Sequence, residues 1–88
     1  MCRNIKPLFN FDPAATEDDV RAASLQFVRK ISGMVKPGKA NEIAFEAAVD
    51  EITSAAECLL ASLETSSPPK NRELDDARRR AISAKRFA

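Results

Sequence analysis

The sequence predicts an all-α fold. It comprises an antiparallel two-helix hairpin, an extended N-terminal arm lying across it, and a third, basic helix at the C-terminus. Three observations predict it. Glycine and proline are confined to Gly33, Gly38, Pro7, Pro13, Pro37, Pro68 and Pro69, which leaves three stretches with no interior helix breaker. Those stretches are rich in Ala, Glu and Arg, residues that pay little entropy on entering a helix. Two of them repeat apolar side chains at helical spacing. A chain of 88 residues is one small domain. It divides into an arm (1–15) and helices over 16–33, 41–65 and 71–87.

The first helix opens at Thr16, an N-cap residue, followed by Glu17, Asp18 and Asp19 at the positive end of the dipole. Val20, Ser24, Phe27, Ile31 and Met34 share one face, and Leu25 and Val28 widen it, which predicts a second packing partner on that flank. Gly33 is a left-handed stop. After a short loop, Asn41 is expected to cap the second helix. There Phe45, Val49, Ile52, Ala56, Leu59 and Leu63 form the strongest periodic signal in the chain. A short loop between two amphipathic helices implies an antiparallel hairpin. In the third helix Leu74, Ala77, Ala81 and Ala84 make a narrow stripe, and Asp75–Arg79 and Asp76–Arg80 are i,i+4 pairs. The arm supplies Ile5, Leu8, Phe9 and Phe11 to cover the flank that Leu25 and Val28 widen.

Composition excludes several chemistries. The chain has no His, hence no His-based triad and no imidazole ligand or acid/base. Two Cys cannot close a four-ligand zinc site. No apolar run approaches the ~20 residues of a membrane span, and the opening MCRNIKPLFNF is no signal peptide. Adjacent carboxylates such as Asp18–Asp19 and Asp50–Glu51 do not share a helix face, and a thin core rarely encloses a pocket. The expectation is a non-enzymatic cytoplasmic protein with no cofactor and no metal.

Charge is segregated behind a net +1. Residues 12–69 hold ten acids and five bases, a net −5, and residues 70–88 hold seven bases and three acids, a net +4. Glu46, Asp50, Glu57 and Glu64 fall on one side of the second helix. Lys36, Lys39, Arg78, Arg79, Arg80, Lys85 and Arg86 are candidate contacts for nucleic acid or an acidic partner. The competing expectation is that the third helix folds back on the acidic side of the second, or is merely solvated. No aromatic residue except Phe87 interleaves with the arginines, so a stacking platform for single strands is missing.

Two further candidates involve thiols. If Met1 is trimmed, Cys2 becomes an N-terminal aminothiol, able to act as base and nucleophile or to chelate a metal. Arg3 would help to hold its thiolate. Cys58 lies away from the main stripe of the second helix, on a side of small residues that includes Ala47, Ser54 and Ser62. That side is a candidate helix-packing or dimer face, and Cys58 is expected to be a buried, inert thiol beneath the third helix or the arm. A Cys2–Cys58 disulfide is disfavoured in a cytoplasmic setting.

Several segments together resemble a known family. They are Met1-Cys2-Arg3-Asn4-Ile5-Lys6, Ala15-Thr16-Glu17, Phe27-Val28-Arg29-Lys30-Ile31-Ser32-Gly33, Lys36-Pro37, Asn41-Glu42, Ala44-Phe45 with Ala48-Val49, and Arg86-Phe87-Ala88. The chain resembles a family of small, mostly bacterial proteins, domain of unknown function 2277, over essentially its whole length. The resemblance implies a bacterial cytoplasmic source and a complete protein rather than a fragment. It implies no activity and no site residues.

The residues themselves favour an interaction module that binds a protein partner or forms a homodimer. A nucleic-acid binder and a thiol or metal function at Cys2 are the alternatives.

Overall fold

The computed structural model describes residues 4–87, with side chains over 4–84. Its elements are β1 (Phe11–Asp12), α1 (Glu17–Ser32), a 3-10 turn (Lys39–Asn41), α2 (Glu42–Ser62), β2 (Lys70–Asn71) and α3 (Arg72–Phe87). The fold is all-α, with α1 and α2 packed as a hairpin and α3 set apart from it.

Local chemistry explains where each helix begins and ends. Thr16 is extended, and its hydroxyl accepts from the Asp19 backbone N–H at 3.2 Å. The Asp19 carboxylate in turn accepts from the Thr16 N–H at 2.9 Å. This reciprocal box satisfies two donors that the first turn leaves orphaned. At the other end Gly33 adopts φ 72° and donates its N–H to the Arg29 carbonyl. That left-handed conformation suits a residue without Cβ. Asn41 occupies the N-cap position of α2, but its side chain makes no capping bond. α2 stops at Ser62, short of the expected 65, and Leu63 is extended. Asn71 caps α3, its carboxamide oxygen accepting from the Leu74 N–H at 2.9 Å.

The hairpin core is small. Val28, Phe45 and Val49 are buried together, with Leu25, Ala48 and Ile52 packed against them. The two helices pack on each other and only nine residues separate Ser32 from Glu42, a link that lets them lie side by side as an antiparallel hairpin. The buried face of α1 is Val20, Ser24 and Val28, not the expected row through Phe27, Ile31 and Met34, which are exposed. The face is rotated towards the flank of Leu25 and Val28, because α2 is the partner on that flank. The two buried hydroxyls bond back to their own helices: Ser24 donates to the Val20 carbonyl and Thr53 to that of Val49.

The arm takes a different course from the one expected. Of its four large apolar residues only Phe11 is buried; Leu8 and Phe9 are half-buried and Ile5 is exposed. The backbone N–H of Asn4 reaches Gln26 on α1. The arm then turns away and pairs β1 in parallel with β2, Phe11 opposite Lys70 and Asp12 opposite Asn71. Asn10 makes the turn at φ 63°, a conformation that Asn tolerates better than most residues. Its carboxamide nitrogen donates to the Ser67 and Pro68 carbonyls, and its own carbonyl accepts from Lys70.

The result is a flat molecule with principal extents of 45 × 39 × 16 Å. The short dimension is little more than one helix diameter. The radius of gyration is 15.1 Å, against about 12 Å for a compact domain of this length.

Candidate functional site

Among the described residues the densest polar cluster lies where α3 joins the arm. Arg72 is its hub, with its side chain only 12% exposed. One terminal nitrogen donates to the Pro7 carbonyl at 2.7 Å. The other lies 2.8 Å from the Asp75 carboxylate and 3.0 Å from that of Asp76. The guanidinium stacks 3.9 Å from the centre of the Phe11 ring, and Lys70 approaches the same ring. Only Arg carries a planar fork able to do all of this together. Its Nε is buried without a hydrogen-bond partner.

Asp76 is shared, because Lys6 of the arm also contacts it at 3.1 Å. Asp75 accepts from Arg79 Nε at 2.9 Å. That hydrogen bond, with Arg72 and Lys70 nearby, holds the Asp75 carboxyl below the usual carboxylate range. One expected pair, Asp75–Arg79, therefore forms. Asp76 turns to Arg72 and Lys6 instead of Arg80, since those cations lie on the side where the arm docks. The hub escaped the sequence reading, although an Arg three and four positions before two aspartates was a readable signal for a first-turn cluster.

The basic candidates are distributed over separate elements. Lys36 and Lys39 belong to the hairpin loop, whose 3-10 turn packs on α2, whereas α3 packs on β2. Arg78 and Arg80 are exposed, and neither forms an ion pair among the described residues. The side chains of Lys85 and Arg86 lie outside the described residues, as do Cys2 and Arg3.

Two expectations about α2 are corrected. α3 does not fold back on the acidic side of the helix. Its first turn is held at the arm, and Arg21 already occupies Glu46 and Asp50 at 3.4 and 2.7 Å. These carboxylates raise the Arg21 pKa, chiefly through the hydrogen bond to Asp50. Secondly, Cys58 is a free, exposed thiol rather than a buried one. Ala47, Ser54 and Ser62 are exposed beside it, so neither the arm nor α3 covers the small-residue side.

α2 also outruns its partner. It has 21 residues against 16 in α1, an excess of about 7.5 Å at 1.5 Å per residue. Leu59, which continues the Phe45 stripe, lies on this overhang, Leu63 follows just past the helix end, and both are exposed. Beside its end is a shallow depression lined by Phe9, Asn10, Leu63, Glu64, Thr65 and Ser66. Among the described residues no three Cys, Asp or Glu side chains gather where they could hold a metal ion. No described helix is long and apolar enough to cross a membrane.

No curated protein and no solved structure matches the chain. A family model does: the one described as an uncharacterized conserved protein, domain of unknown function 2277, matches residues 1–78, and the chain belongs to that family.

Proposed function

We propose that the chain is a non-enzymatic interaction module, whose exposed apolar faces are covered by a protein partner or by a second copy. One observation carries this reading. Among the described residues ten large apolar side chains stand exposed on a molecule 16 Å thick, including Ile31 (68%), Ile43 (87%), Leu59 (56%) and Ile82 (61%). Single exposed apolar residues are ordinary, but rows of them on successive helix turns mark binding surfaces. Phe27 and Ile31 form such a row on α1, and Leu59 stands exposed on α2 with Leu63 just past its end.

A photo-crosslinking side chain placed at Leu59 or Ile82 in native cells tests the reading. Adducts between this chain and protein are expected at both positions. Recovery of nucleic acid alone, or of no adduct at either position, would overturn it.

A second reading is binding to nucleic acid, favoured by the exposed Arg78 and Arg80, which no carboxylate on the described surface neutralises. Phosphate contacts release counterions, so affinity for a duplex would fall steeply as salt rises. A flat log–log plot of affinity against salt would remove this alternative.

A further inference from the structure

We infer that the chain pairs with a second copy of itself, the α3 of each copy lying on the α2 overhang of the other. This rests on the interaction-module reading and names the occupant.

The first argument is area. A compact folded chain of 9.6 kDa exposes about 5,100 Å² by the scaling of surface with mass. This chain exposes 6833 Å², an excess of about 1,700 Å². A specific interface of standard size takes about 800 Å² from each partner, and obligate pairs take more. The excess is enough for such an interface on each copy.

The second argument is charge, and it selects the occupant. The body carries −5 and the C-terminal segment +4. Within one chain Arg21 occupies the acids of the N-terminal half of α2. Towards the overhang, Glu57 and Glu64 form no ion pair among the described residues, and one carboxylate oxygen of Glu57 is buried without a hydrogen-bond partner. On α3, Leu74, Arg78 and Ile82 follow at i, i+4 and i+8 and are exposed. That face places one cation between two apolar residues. The overhang offers the complement on the side of its carboxylates, Glu57 with Leu60 and Ala61 one turn on.

The third argument is topology. The contacts of Arg72, Lys6 and Asn10 hold the start of α3 at the arm, and α3 is not packed along α2 of its own chain. Both halves of the complementary pair nevertheless occur on one molecule. A two-fold axis would satisfy both of them twice, the arrangement closed homodimers use.

Sedimentation equilibrium of the full chain tests the inference. A mass of two chains is expected, with dissociation promoted by salt. Arg78→Glu and Glu57→Arg, each alone, should weaken pairing about tenfold or more through like-charge contact. An equimolar mixture of the two variants should restore it, because every cross-copy contact is then complementary; that recovery also shows that both variants fold. A monomer at every concentration overturns the second-copy occupant, and the crosslinking result then decides the module reading separately. A dimer indifferent to both reversals, or one that the mixture fails to restore, overturns the placement of α3 on α2.

Discussion

At the scale of single residues, Arg72 joins three segments: the arm through Pro7 and Phe11, and the first turn of α3 through Asp75 and Asp76. Arg72→Lys keeps the charge and loses the fork and the stacking plane. It should loosen the docking of α3 by about 2 kcal/mol, read as faster amide exchange in α3 with the hairpin unchanged. Equal acceleration in α1 and α2 would show that the hub is not specific to α3. Asp75 adds a pH dependence. Its folded pKa is lowered, so its contribution is fully present above the unfolded value of about 3.9. It is lost as the pH falls through the lower folded value. Asp75→Asn should remove that acid-side loss from an α3 helicity titration; an unchanged titration would exclude Asp75 as its source.

At the scale of elements, α1 was legible in the sequence because its ends are local chemistry. Thr16, Asp19 and Gly33 act within a few residues of themselves. Thr16→Ala should cost about 1 kcal/mol in thermal or denaturant unfolding. Gly33→Ala should cost about the same. It does so through its left-handed backbone alone, since an added Cβ would meet nothing within 4 Å. A neutral result at Gly33 would mean the turn relaxes. Facing was less legible than the ends. The sequence placed Phe27 and Ile31 on the buried side, but periodicity cannot fix which flank the partner takes, and α2 took the side of Val28. The pairing of β1 with β2 was invisible for a related reason. Two residues on each side leave no period to read, and their partners are set by Asn10 and Arg72 rather than by local propensity. Cys58 shows the same limit. Small neighbours made its side look ready for a helix, yet small residues permit close approach without causing it.

At the scale of the whole molecule, the thin core foreseen from composition became one layer rather than a compact body. Small-angle scattering of the Arg78→Glu variant, diluted until its mass is that of one chain, should return a radius of gyration near 15.1 Å. A value near 12 Å, expected for a compact fold of this length, would mean that α3 closes onto the hairpin in solution. The parallel pairing of Phe11 with Lys70 has a consequence for how the chain closes. Its partners lie roughly sixty positions apart, and closing so long a loop carries an entropic cost that the short hairpin link avoids. The α1–α2 hairpin is closed by a link of nine residues, whereas the arm has its strand partner only at residues 70–71. The latch between β1 and β2 thus carries the larger closure cost of the two, and it is made of contacts the hairpin core does not share.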